Sequence, residues 1–167
     1  PPGSTFKTIT LTSALENIGG ITNRTFNDEG KIVFNDSHSL SNANNAVYGT
    51  IDLKEAFKVS SNVVFGTLAM ELGNDKLKAT AEDYGFNNSI EADGFTIENS
   101  RFPTLKSYET GSIAQTGIGQ SSILATPIQM ALVSSTIAND GKMMEPTLVS
   151  KIIDKDGNLV KDVGPRV

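Results

Sequence analysis

Pro2-Gly3-Ser4-Thr5-Phe6-Lys7 is the stretch that decides how this chain is read. Behind Gly3, the residues Phe6, Ile9, Ala14 and Ile18 recur roughly at helical spacing until Gly19-Gly20 interrupts them, which predicts a helix to about Asn17. Its many Thr and Ile residues are mediocre helix formers, so burial must hold it. Ser4 and Lys7 stand three residues apart, which puts hydroxyl and amine on one face and makes proton transfer between them feasible. Positive charge at the helix start and partial burial both disfavour the ammonium form, so Lys7 can act as a base. The N–H of Ser4, without an intrahelical acceptor, can face a developing oxyanion. Alone, Ser-x-x-Lys equally describes a helix cap with a solvated lysine.

Ser60-Ser61-Asn62 supplies company, because it falls in a link between two predicted helices. Asp52 with Glu55 resembles a capping box opening a short helix over Leu53 to Val59, and a second helix starts near Asn62 with Val63, Leu68, Met70 and Leu72 before Gly73. Short polar side chains in that link can turn toward a shared cleft, where a hydroxyl relays a proton and an amide holds a peptide carbonyl. The plainer reading, that Ser60 or Ser61 caps the following helix, is compatible with that role.

Further out, an irregular polar stretch follows the first helix, then a short strand at Lys31 to Phe34 and an Asn/Ser-rich loop from Asn35 to Asn45, expected on the surface. Asn74 or Asp75 opens a helix that Gly85 ends, and a long loop runs through Phe102-Pro103. Thr126-Pro127 reads as an N-cap with proline at the first helical position, leading a helix through Ile128, Ala131, Leu132 and Ile137 to Asn139. The tail alternates from Leu148 to Ile153 and from Leu159 to Val163 around Asp156-Gly157, which is a hairpin.

With 167 residues, 38% hydrophobic and 20% charged, the chain has the composition of one globular domain. A net charge of -5 without Lys/Arg clusters speaks against a nucleic-acid partner. The absence of cysteine excludes disulfides and thiolate metal sites and fits an exported bacterial protein. No apolar run approaches a membrane span. His38, the lone histidine, has no carboxylate-histidine cluster nearby and reads as surface, so no metal is expected. Gly117-x-Gly119 lacks the strand and third glycine of a dinucleotide site and reads as a turn. Asp154, Asp156 and Asn158 lack the later Glu of a calcium loop and read as hairpin turn chemistry. No cofactor is expected.

The combination of motifs resembles the penicillin-binding protein transpeptidases of bacteria, for which Ser-x-x-Lys, Ser-Asp-Asn and Lys-Thr-Gly form a known set. Pro2-Gly3-Ser4-Thr5-Phe6-Lys7 is similar to their acylation-site signature, and Gly49-Thr50-Ile51-Asp52-Leu53 through Ala56, Ser60 and Asn62 to the approach to their second motif. Gly117-Ile118-Gly119-Gln120, Ala125-Thr126-Pro127-Ile128-Gln129-Met130-Ala131 and Ile137-Ala138-Asn139-Asp140-Gly141 resemble the stretch that follows in the high-molecular-mass enzymes. No Lys-Thr-Gly or Lys-Ser-Gly occurs in the chain, although the family carries it on a strand downstream.

The resemblance implies a mainly α fold with minor β (α+β): the helical subdomain of the penicillin-binding-protein and beta-lactamase-like fold plus a C-terminal β-hairpin, with most of the central sheet missing. Residues 1–167 read as a single partial domain with both ends cut. It implies an enzyme in which Ser4 attacks the bond between the terminal D-alanines of a peptidoglycan stem peptide, Lys7 is its base, Ser60 shuttles the proton and Asn62 orients the substrate amide. Beta-lactams would trap the same serine. The parent would be anchored by an upstream segment on the extracytoplasmic face of the cell membrane, with cell-division or sporulation proteins as partners. Without the third motif, the fragment itself is expected to acylate slowly or not at all, and its uncovered helix faces to self-associate. Two rivals stand beside this reading. A beta-lactamase or beta-lactam sensor would hydrolyse or bind beta-lactams but is not expected to carry the Thr126 to Gly141 pattern, and a non-catalytic scaffolding module would leave Ser4 unacylated.

Overall fold

A computed structural model describes residues 1–167. Gly3, at φ 63, opens a 3₁₀ turn over Gly3–Phe6 that runs directly into α1 (Lys7–Asn17). Phe6, Ile9 and Ala14 are fully buried on one side of this unit, so the expected helix and its core face are both present. Phe6 anchors it between two rings from other parts of the chain, edge-on to Phe86 and stacked on Phe102, each at 5.7 Å between centroids. Aromatic pairs in such geometries contribute about 0.5 to 1.5 kcal/mol beyond their buried area.

The segment after α1 is more regular than its composition suggests. Thr25–Asp28 forms β1 and pairs antiparallel with β4 (Gly49–Asp52), while β2 (Lys31–Asn35) pairs with β3 (His38–Ser41). The Asn35 to Asn45 stretch, expected as a surface loop, therefore contains a strand, and it buries Leu40 and Asn42. β3 escapes a pattern search because only Leu40 in it is apolar, although its partner β2 directly precedes it, whereas β1 finds its partner β4 far along the chain. His38 is exposed at the start of β3.

Asp52 caps α2 (Leu53–Lys58) by accepting from the N–H of Glu55 at 2.7 Å; the Glu55 carboxylate meets Lys58 on the surface. Ser61 caps α3 (Asn62–Asp83), with Val64 N–H donating to its hydroxyl at 3.0 Å. Gly73 adopts the non-helical φ 77 and ψ 166 inside α3, so the element is two helices meeting at a kink where the sequence placed their boundary. At the kink the buried Asn74 side chain donates to Pro103 O and accepts from Leu105 N–H, tying down the long loop after Gly85.

Thr110–Gly117 forms α4, a helix that residues of small and polar type concealed from a periodicity search. It packs on α3 through Gly117, where a Cβ would lie 2.6 Å from Phe65 O. Thr126 and Pro127 begin α5 (Pro127–Ala138) as expected, with Gln129 N–H donating to the Thr126 hydroxyl at 3.2 Å. The buried face of α5 is Gln129, Val133 and Thr136, with Met130 packed beside them, while Ile137 is 51% exposed. Gln129 tolerates burial because its Nε2 donates to Tyr84 O at 2.6 Å.

β5 (Lys151–Ile153) and β6 (Leu159–Asp162) make the expected hairpin, exposed at every position. Its turn is organised by the Asp154 carboxylate, which accepts from the backbone N–H of Asp156 and Asn158 and from the Asn158 side chain. The molecule is thus helical with three separate two-stranded sheets, around one cluster of 23 buried apolar residues fed by α1, α3, α4 and α5. No helix is long and apolar enough to cross a membrane, and no group of three His, Asp or Glu is placed to hold a metal.

Candidate active site

The site lies where α1, the α2–α3 junction and α4 meet. Ser4 is exposed on the 3₁₀ turn, and Lys7, one turn further, is buried to 1% exposure. The Lys7 Nζ lies 3.2 Å from Ser4 Oγ. It is also 2.8 Å from Ser60 Oγ, 2.8 Å from Ser60 O and 2.7 Å from Asn62 Oδ1. All four residues singled out in the sequence are therefore brought together around one nitrogen.

Ser60 O and Asn62 Oδ1 can only accept, so they claim two N–H bonds of Lys7 in either of its charge states. The orientation of the Asn62 amide follows from its Nδ2, which donates to Ser41 O at 2.8 Å. One tetrahedral position on Nζ remains for the two hydroxyls. In the ammonium it holds a third N–H; in the neutral amine it is the lone pair, directed at the hydroxyl protons of Ser4 and Ser60. Lys7 makes no ion pair; the ring of Phe65 stands 5.9 Å from Nζ. Burial without a carboxylate lowers its pKa from 10.5 to about 8. Roughly one molecule in ten then carries the neutral amine at pH 7, several hundred times more than at the ordinary lysine value.

Ser60 is held in an unusual backbone state. Ser61 N–H bonds back to Ala56 O at 2.9 Å and Ser60 N–H to Phe57 O at 3.2 Å, the double closure that ends a helix on a left-handed residue. That residue is normally glycine, but here Ser60 takes it with φ 57. The turn directs both its carbonyl and its hydroxyl onto Lys7.

Two further groups of residues support the site in roles that the sequence did not give them. The first is Gly119, which reads as a turn and does have φ 75, but whose importance is a close approach. Gly3 N–H donates to Gly119 O at 2.9 Å, and a Cβ on Gly119 would meet the Gly3 backbone, with its carbon at 2.6 Å and its nitrogen at 2.8 Å. Beside it, Thr10 donates to Gly117 O at 2.8 Å, so the end of α4 is stitched to the turn that presents Ser4. The second group is Asp28, Asn42 and Ser61, all buried beneath the α2–α3 junction. The available signal was Asp28 itself: β1 alternates exposed and buried positions, and an aspartate shares the inner face with Phe26.

Comparison with known proteins gives the following. The family model described as penicillin binding protein transpeptidase domain matches residues 1–166. The peptidoglycan D,D-transpeptidase PbpA of Mycolicibacterium smegmatis is 36% identical over 160 residues, 93% of this chain and 32% of that protein. The chain thus spans about a third of the length of such curated relatives. Among solved structures, the D,D-transpeptidase domain of a peptidoglycan glycosyltransferase from Eggerthella lenta superposes with a TM-score of 0.86 at 34% identity, over 98% of this chain and 42% of that one. The penicillin G acyl-enzyme complex of penicillin-binding protein A from M. tuberculosis superposes with a TM-score of 0.90 at 29% identity, over 99% of this chain and 38% of that one.

Proposed function

The chain belongs to the penicillin-binding protein transpeptidase family, and on that premise we propose that the protein is a serine D,D-transpeptidase that cross-links peptidoglycan stem peptides and is acylated by beta-lactams at Ser4. The observation that carries this reading is the buried, unpaired amine of Lys7 within reach of an exposed Ser4 hydroxyl and of Ser60.

In the first half-reaction, Ser4 Oγ attacks the carbonyl carbon of the penultimate D-alanine and its proton passes to the Lys7 lone pair. The tetrahedral intermediate collapses with cleavage of the C–N bond. The departing amine of the terminal D-alanine takes its proton from Ser60, which is resupplied by Lys7. The net change is a peptide bond exchanged for a serine ester, with Lys7 neutral again. In the second half-reaction, an amine of a neighbouring stem peptide attacks the ester, loses its proton through the same pair, and Ser4 recovers its own. Asn62 has one Nδ2–H engaged by Ser41 O and a second that can meet a substrate carbonyl. In a beta-lactam the severed C–N bond lies in a ring, so the amine stays tethered and the ester persists.

The reaction is assigned to the whole natural protein at the extracytoplasmic face of the bacterial membrane, with cell-division or sporulation proteins as partners. The chain contains no Lys-Thr-Gly, so these 167 residues by themselves should acylate slowly or not at all, and the outward apolar residues of α5, such as Ile137, should promote self-association. Penicillin treatment followed by intact mass and peptide mapping tests the assignment. A single adduct on the Ser4 peptide, abolished in Ser4→Ala, is expected; an adduct retained in that variant refutes it.

A further inference from the structure

Beneath the Ser60-Ser61-Asn62 turn, Asp28 is fully buried at the end of β1 and surrounded by donors. Its carboxylate accepts from Gly30 N–H at 2.9 Å, from Ser61 Oγ at 2.6 Å and from Asn42 Nδ2 at 2.8 and 3.0 Å. Every one of these partners can give a proton, the set that suits an acceptor-only carboxylate. Asn42 passes the constraint on. Its Oδ1 accepts from Asn62 N–H at 2.8 Å and Val63 N–H at 3.2 Å, the free donors at the start of α3, while its Nδ2 also reaches Ala46 O at 2.9 Å. Ser61 in turn caps Val64. Asp28 thereby grips, through two routes, the residue between Ser60 and Asn62 and the backbone of Asn62 itself. No polar side-chain atom in this network is left without a partner.

We propose that Asp28 is a positioning residue for the site: through Ser61 and Asn42 it sets where Ser60 and Asn62 stand around the Lys7 amine. A buried, fully satisfied network specifies one geometry and loses it when one member changes polarity. Asp28→Asn places an amide N–H against donors and should release the turn. Lys7 Nζ hydrogen-bonds Ser4, Ser60 and Asn62 and has the Phe65 ring at 5.9 Å, with no hydrogen bond or ion pair joining it to Asp28. A loosened turn admits water to an amine whose titration is governed by burial.

The experiment is a ¹³C NMR titration of the Lys7 side chain, read in this chain without any substrate, alongside penicillin acylation in the whole natural protein. In Asp28→Asn the midpoint should rise from about 8 toward the ordinary lysine value by about half a unit or more, water entering at the loosened turn outweighing the loss of a carboxylate that makes no contact with Lys7. Acylation should slow by about tenfold or more in the protein that remains folded. Ser61→Ala, which removes one hydroxyl only, should shift the midpoint the same way by less. The pair Asp28→Asn with Asn42→Asp restores donor to acceptor in reverse and should recover part of both effects. Thr126→Ala, destabilising but remote, should leave the midpoint unchanged. A midpoint in Asp28→Asn or Ser61→Ala equal to wild type, or one moved as far by Thr126→Ala, overturns the proposal. The acylation arm rests on the function proposed above and the titration arm does not. If that function is wrong, wild type itself forms no adduct while the Lys7 midpoint still responds.

Discussion

Replacing Gly119 by alanine should disable the site without touching a reactive group. The added Cβ would collide with the Gly3 carbonyl oxygen and stand 2.6 Å from its carbon and 2.8 Å from the Gly3 nitrogen, where ordinary contact begins at 3.4 Å. The two segments must separate by more than about 1 Å, and the atoms displaced belong to the residue before Ser4. The Gly3 N–H bond to Gly119 O weakens at the same time, and alanine at φ 75 adds a left-handed penalty. Together these cost about 2 to 4 kcal/mol, of which the backbone penalty is about 1 to 2. A misplacement of about 1 Å in a reacting group costs about 100-fold in rate. The assay is stopped-flow acylation by a fluorescent penicillin in the whole protein, with folded fraction measured in parallel. Gly141→Ala is the control, because Gly141 has φ 81 but nothing within 4 Å of its missing Cβ. It should lose about 1 kcal/mol of stability and keep its acylation rate. A Gly119→Ala protein that acylates within about threefold of wild type would refute the claim that this close approach positions Ser4.

Further outcomes are expected. Lys7→Arg should fail to restore acylation to a Lys7→Ala protein, since guanidinium does not deprotonate; rates from the same stopped-flow assay decide this. Acylation should rise about fivefold between pH 7 and pH 8 and level off above pH 9, as Lys7 loses its proton near 8. Because folding lowers the Lys7 pKa, the unfolded chain holds more protons between pH 8 and pH 10.5, and Lys7 makes stability rise with pH across that window and lose the gain as pH falls through 8. The melting temperature of wild type relative to Lys7→Met should show that slope. Asp52→Ala and Thr126→Ala each remove a helix cap and should cost about 1 kcal/mol by chemical denaturation.

Helix starts and stops were legible because each has a local cause. Asp52, Ser61 and Thr126 all accept the backbone donors their positions predict, and Gly73 breaks α3 where it stands. What escaped was decided by partners distant in sequence. β1 pairs with β4 across more than twenty residues, and nothing near Thr25 announces that pairing. α4 carries Ile113 as its single large apolar residue among Thr, Gly, Ser, Ala and Gln, and its last glycine is there because Phe65 of α3 needs the space, not because the helix ends. Gln129 and Thr136 point inward on α5 beside Val133 while Ile137 stays outside, a mixed pattern that an apolar code does not give. The Ser4–Lys7 contact was legible for the opposite reason: the two residues share one turn, so spacing alone brings them together. Asp28 and Asn42, which fix the other half of the cage, come from two different short strands and their loops.

Ser60 shows how the local and distant causes combine. The closure at the end of α2 calls for a residue with positive φ, and a sequence chosen only for folding would place glycine there. Serine in that conformation costs about 1 kcal/mol or more. Its carbonyl would reach Lys7 whatever the side chain, so the hydroxyl, at 2.8 Å from Nζ, is the only thing the strain obtains. Ser60→Gly should therefore melt higher than wild type, by about 2 to 4 °C for each kcal/mol relieved, and acylate about 100-fold or more slowly for want of the relay. Stability and activity moving in opposite directions is the signature of a residue kept for chemistry. A Ser60→Gly protein that melts lower, or one that acylates at the wild-type rate, would mean that the hydroxyl either contributes to stability or is dispensable, and the proton path drawn through it would be wrong.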